Sequence, residues 1–221
     1  MTTPNWQGQM AEPTRLLLLR HGQTALSVER RYSGHGDPVL TELGRAQAAA
    51  AAERLAEQGG VDVIVSSPLA RARATAQAVA DAIGLGVEVH DGLIETDFGA
   101  WEGLTFREAA ERDPELHSRW LGHDDVAPPG GESFAQVGQR LAQTRSDLVD
   151  RYRGRRVLAV SHVTPIKSLL REALGVGPEL LFRLHLDLAS LSIAEYFPDG
   201  GSVVKLVNDT GHLPAVPQRL S

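Results

Sequence analysis

Short unbroken apolar runs alternate along this chain with longer stretches whose apolar residues recur every three or four positions. Leu16 to Leu19, running into Arg20, is apolar at four successive positions, as a strand buried on both faces requires. Val61 to Ser66 and Val157 to Ser161 repeat the pattern, and Val87 to His90 makes a shorter strand between them. Thr41 caps a helix to about Gln58, stopped by Gly59-Gly60. A second helix is expected from Leu69 to Ile83, ended by Gly84. Gly92 to Leu104 reads as a glycine-spaced loop, Thr105 to Arg112 as a helix, and Gly122 to Gly131 as a surface loop. Glu132 to Tyr152 is a long helix. Thr164 and Pro165 are expected as N-cap and N1 of the next one, closed by Gly175. Ser190 to Phe197 and Val203 to Val207 flank Pro198-Asp199-Gly200-Gly201, which predicts a terminal hairpin.

Strands alternating with helices predict an α/β fold, a three-layer sandwich around a mostly parallel central sheet. With no internal repeat and no clean gap, a single domain over residues 14–212 is expected. Residues 1–13, polar with two prolines, are expected as a disordered leader or linker, and residues 213–221 as a tail.

Composition removes several classes of function. The chain is 42% hydrophobic and 23% charged, an ordinary globular balance. A net charge of −6 without a dense Lys/Arg run argues against a nucleic-acid partner. The lack of cysteine excludes disulfides, thiolate metal sites and a cysteine nucleophile. Leu16 to Leu19 is too short for a signal-peptide core or a membrane span, so a cytoplasmic protein without a membrane partner is expected.

In open α/β sheets ligands collect at the carboxyl ends of the strands. There this sequence places Arg20-His21-Gly22-Gln23-Thr24, then Ser66-Ser67-Pro68-Leu69-Ala70-Arg71, then Ser161-His162-Val163-Thr164-Pro165. Two histidines and two arginines at the ends of separate strands suit phosphoryl transfer. Guanidinium forks match phosphate oxygens, and a neutral imidazole is a competent nucleophile near pH 7. Neighbouring arginines favour that neutral form, and a helix opening at Thr164-Pro165 adds its amides and positive dipole end. An acid for the leaving oxygen is also needed. Glu95 leads, with Asp97 and Glu102 as rivals in the same loop.

These blocks resemble, in order, those of the histidine phosphatase (phosphoglycerate mutase-like) superfamily. Arg20 to Thr24 with Arg31-Tyr32-Ser33-Gly34 looks like its signature. Ser67 to Ala72, Glu95 with Phe98 to Gly103, and Ser161-His162 are similar to its later blocks, over about Arg15 to Val207. The resemblance implies His21 as nucleophile, Glu95 as proton donor, and Arg20, Arg71 and His162 as the phosphate pocket. Ser33 and Gly34 match positions that line the substrate side. Two positions depart from the pattern: Ser27 stands where many members have Asn, and Val163 where Gly is usual. Both belong to the expected substrate-binding set.

Water as final acceptor would give a phosphatase, a phosphoglycerate hydroxyl a mutase. Glu95 and His162 stand only 67 positions apart, less than in cofactor-dependent mutases. The stretch Pro128 to Ser133 between them looks like the phosphatase branch. Closer still, the chain resembles the acid phosphatase domain that follows a ribonuclease H domain in some actinobacterial proteins, and the α-ribazole phosphatases. The expectation is therefore a phosphomonoesterase acting on a small-molecule phosphate ester, without metal or other cofactor, with a homodimer as a candidate assembly. A mutase and a catalytically idle phospho-ligand module are the alternatives.

Overall fold

The computed structural model describes residues 12–214. Most of the expected leader and tail therefore lies outside the described residues. Four strands run parallel: β1 (Thr14–Arg20), β2 (Val63–Ser66), β3 (Val87–Val89) and β4 (Arg156–Ser161). β5 (Leu191–Tyr196) lies antiparallel to β1, and β6 (Ser202–Asp209) antiparallel to β5. The order is β3-β2-β4-β1-β5-β6, so β5 is the one reversed strand of the six. The sheet is mostly parallel, as the alternation predicted.

Side-chain alternation along β1 makes the three layers. Leu16 and Leu18 face one way, with Val157 and Ala159 of β4. They pack on the apolar faces of α6 (Phe134–Arg151) and α7 (Val163–Leu174) through Val137, Leu141, Ile166 and Leu169. Leu17 and Leu19 face the other way, with Leu158 and Val160, onto α2 (Glu42–Gln58) and α3 (Ala70–Ile83). There the helix faces are mostly alanine: Ala51, Ala52, Ala72, Ala76 and Ala80. Small side chains bring those helices close to the sheet and place their N-termini near the strand ends.

A third cluster sits outside the layers, built by α4 (Phe106–Arg112), α5 (Pro114–Trp120) and the loop before them. Tyr32, Phe98, Trp101, Trp120 and Phe134 pack ring on ring, with Tyr32 and Phe98 centroids 4.8 Å apart. α5 was not anticipated, nor were two four-residue helices, α1 (Ala25–Val28) and α8 (Leu180–Arg183). One or two turns carry too little periodicity to stand out from a loop. Among the described residues no helix is long and apolar enough to cross a membrane.

The start of α7 differs from the expectation. Its N-cap is His162, extended at φ −127° and ψ 178°, so Thr164 and Pro165 fall at N2 and N3 instead of N-cap and N1. Proline is tolerated throughout the first turn because those amides have no intrahelical acceptor. The shift puts the capping position on a histidine and leaves no turn between strand and helix.

Candidate active site

The strand register sets the site. Arg20 pairs with Ser161, and Ser66 with Val160. β4 lies between β2 and β1, so the residues that leave these three strands emerge side by side at one sheet edge. His21 and His162 meet there with ring centroids 5.0 Å apart and planes tilted by 58°, both buried.

His21 is held from behind by backbone. Its amide donates to the Ser161 carbonyl, that of Gly22 to Thr75 Oγ1, and that of Gln23 to Gln47 Oε1. Its Nδ1 stands 2.7 Å from the Gly22 carbonyl. A carbonyl only accepts, so Nδ1 carries the hydrogen and Nε2 keeps its lone pair. Burial first, then the charges of Arg20 and Arg71, hold His21 well below the ordinary imidazole range. His162 is pushed the same way, by burial first and then by His21, Arg71 and Arg20. Both rings are neutral near pH 7. The arginines named from sequence contribute to this, but desolvation is the larger cause.

Arg20 and Arg71 keep donors free. Arg20 gives one Nη1 hydrogen to the Leu186 carbonyl, and its buried Nε has no partner. Burial lowers Arg20 to about 10, against the opposing charge of Glu95. Arg71, fully buried at the start of α3, donates through Nη1 to the Gly36 carbonyl, and through Nη2 to those of Ser33 and Gly34. Its Nε is unpartnered as well, leaving Nε–H and one Nη1 hydrogen for a ligand.

Glu95 is buried at 3% exposure, and its charge acts on both guanidiniums. Its Oε1 accepts from the Thr96 amide at 2.8 Å, and its Oε2 faces the Thr164 amide at 3.5 Å. The two rivals are engaged elsewhere. Glu102 accepts from the Gly34 and Gly36 amides with one oxygen each, and Asp97 Oδ1 from the Gly99 amide. Of the three carboxylates, Glu95 is the deeply buried one.

The four expected substrate-side residues are placed differently from one another. Ser33 and Gly34 lie against Arg71 through their carbonyls, and the Ser33 hydroxyl is buried without a partner. Ser27 caps α1: its hydroxyl accepts from the Thr24 amide and donates to the Thr24 carbonyl at 2.7 Å. Val163 is N1 of α7, and its side chain packs on the core beneath the sheet.

Several contributors escaped sequence reading. Ser67 Oγ lies 2.7 Å from His162 Nε2. Arg140 donates to the Gly92 and Ile94 carbonyls and pairs with Glu132, which accepts from the Asp97 amide; together they hold the loop that carries Glu95. His35 donates to the Glu95 carbonyl at 3.1 Å. Ser67 stands in the strand-end segment Ser66 to Arg71, so its position was a signal; Arg140 and His35 carried none. Among the described residues no group of three or more His, Asp and Glu side chains could hold a metal ion.

The model of the histidine phosphatase superfamily (branch 1) matches residues 16–210. A bifunctional protein of Mycobacterium tuberculosis is 61% identical over 212 residues, 96% of this chain but 58% of its own length. The chain thus spans little more than half of that relative. Phosphoserine phosphatase 1 of Hydrogenobacter thermophilus is 34% identical over 200 residues, covering 90% of this chain and 94% of its own. A mycobacterial glucosyl-3-phosphoglycerate phosphatase, solved with VO3, superposes with a TM-score of 0.82 at 32% identity, covering 89% of this chain and all of that one. With the neutral histidine pair and two arginines, Arg71 fully buried, at one sheet edge, these likenesses establish that the chain belongs to the histidine phosphatase superfamily, branch 1.

Proposed function

We propose that residues 14–212 form a phosphomonoesterase that hydrolyses a small phosphorylated metabolite through a phosphohistidine on His21. The observation that carries this is the His21 ring, neutral and fixed by the Gly22 carbonyl with its Nε2 lone pair outward, beside two arginines with unspent N–H groups. Nε2 attacks phosphorus in line as the ester P–O bond breaks, and Glu95, which takes up a proton when the dianionic ester binds beside it, gives that proton to the departing alkoxide. Arg20, Arg71 and His162 hold the phosphoryl oxygens. Glu95, now a carboxylate, takes a proton from water as that water bonds to phosphorus and the P–N bond breaks. Alcohol and inorganic phosphate leave, and the enzyme returns to its starting protonation. The phosphoserine and glucosyl-3-phosphoglycerate phosphatases among its relatives support water as the acceptor.

The test is turnover of a panel comprising phosphoserine, phosphoglycerates, glucosyl-3-phosphoglycerate, α-ribazole phosphate, sugar phosphates and nucleotides, by the native protein and by His21→Ala. Hydrolysis of at least one ester is expected, with an acid-labile phosphoenzyme trapped in the native protein and neither in the variant. A phosphoenzyme without phosphate release, or an active alanine variant, would overturn the reading.

A further inference from the structure

The two buried histidines differ in what holds them. His21 has its Nδ1 on a carbonyl and its Nε2 free, whereas His162 has its Nε2 on Ser67 Oγ, 2.7 Å away, and its Nδ1 buried with no partner. Which His162 nitrogen carries the hydrogen depends on the direction of the Ser67 bond. Ser67 is fully buried, and its oxygen already faces the Leu69 amide at 3.4 Å. If the ring donated to it, the serine hydrogen would have no acceptor among the described residues. A bare Nδ1 lone pair would also be left buried without a donor. With the serine donating, every atom of the pair is satisfied except Nδ1–H, a donor in a site built to take phosphate oxygens. One arrangement leaves two groups mismatched, and the other leaves one group free in the sense the ligand needs.

We propose that Ser67 is a positioning residue that donates its hydroxyl to His162 Nε2 and thereby fixes His162 as the Nδ1–H tautomer, leaving a hydrogen-bond donor on a ring whose centroid lies 5.0 Å from that of His21. Both rings carry Nδ1–H, yet they present opposite faces: His21 offers a lone pair from Nε2, His162 a hydrogen from Nδ1. Two rings that both presented lone pairs would repel the phosphoryl oxygens at one side. Two that both presented hydrogens would leave no nucleophile. This assignment of function to the tautomer rests on the phosphatase reading above; the tautomer itself does not.

The deciding measurement is nitrogen NMR on full-length, 15N-histidine-labelled protein at pH 7 without substrate, with His162 assigned by comparison with His162→Gln. A protonated-type shift at Nδ1 and a bare-type shift at Nε2 are expected. In Ser67→Ala the His162 signals should move toward the mixed or Nε2–H pattern while those of His21 stay in place, and kcat/KM for glycerol phosphate should fall roughly 10- to 100-fold. A native His162 protonated at Nε2 would overturn the proposal, and so would a Ser67→Ala variant with an unchanged tautomer. Because the resting tautomer is read without turnover, a native protein that hydrolyses no ester would defeat the functional reading and leave the tautomer result standing.

Discussion

Acid should destabilise this fold more steeply than the removal of its two site histidines would allow. His21 and His162 are both held well below the ordinary value of 6.5, by burial first. Below pH 6.5 the unfolded chain takes up a proton at each ring, whereas the folded chain does not. The unfolded state therefore gains as pH falls, and stability that is fully present above 6.5 is lost below it. For one such ring, with its folded value below the window, the loss between pH 7.5 and 5.5 is about 1.4 kcal/mol, and for the pair about 2.7 kcal/mol. That is a large part of the ~5–15 kcal/mol that holds a domain together. Urea unfolding should be followed at half-unit steps across this window for the native protein and for a His21→Gln, His162→Gln double variant. Other histidines, including His117 and His212, which also titrate low, act in both proteins and cancel in the difference. The native slope should exceed that of the variant by the amount given. Parallel curves would show that the buried rings protonate freely in the folded state, and the neutral nucleophile would be lost with them.

Glu95→Gln should slow phosphorylation of the enzyme by glycerol phosphate roughly 100- to 10,000-fold and by nitrophenyl phosphate far less, since only the alkoxide needs a proton. Single-turnover measurement checks this, and equal slowing of both esters would remove the acid role from Glu95. Gly44→Ala should reduce kcat and cost about 1–3 kcal/mol in urea unfolding. A Cβ there would stand 2.8 Å from the Gln23 amide nitrogen and overlap its carbonyl oxygen, on backbone that cannot yield; an unchanged variant would show that the loop behind His21 is slack. Turnover should be the same with and without EDTA, because the proposed phosphate pocket already supplies the positive charge of Arg20 and Arg71. A loss restored by magnesium or zinc would refute that.

The alternation of apolar runs and amphipathic stretches was enough to predict the sheet, its mostly parallel sense and the six strands, because burial on both faces leaves a continuous signal. The rule that ligands collect at strand ends was enough to bring Arg20, His21, Arg71 and His162 to one edge. What escaped reading was local or long-range. α5 is held by aromatic packing that periodicity over seven residues does not reveal. The Thr164-Pro165 pair suggested a cap, yet the helix begins on His162 itself. The burial and partners of Glu95, Asp97 and Glu102 were not legible: Glu102 is taken up by amides more than sixty residues away in sequence. Ser27 illustrates the limit from the other side. Its place in a known pattern set it on the substrate side with a contact shortened by the change from Asn, and in the fold its hydroxyl turns back on the cap of α1.

The three carbonyls on Arg71 make a thermodynamic linkage. One guanidinium both ties down the 33–36 segment and offers its remaining hydrogens to an anion, so whatever fastens one end of it orders the other. An occupied pocket should therefore slow amide exchange at Gly34 and Gly36, although no ligand atom need touch them. By the same linkage, a change loosening this segment, such as Glu102→Gln, should weaken inorganic phosphate, by at most the factor by which occupancy orders the segment. The hold on inorganic phosphate would then be adjustable from the 33–36 segment, without alteration of His21, Arg20, Arg71 or His162.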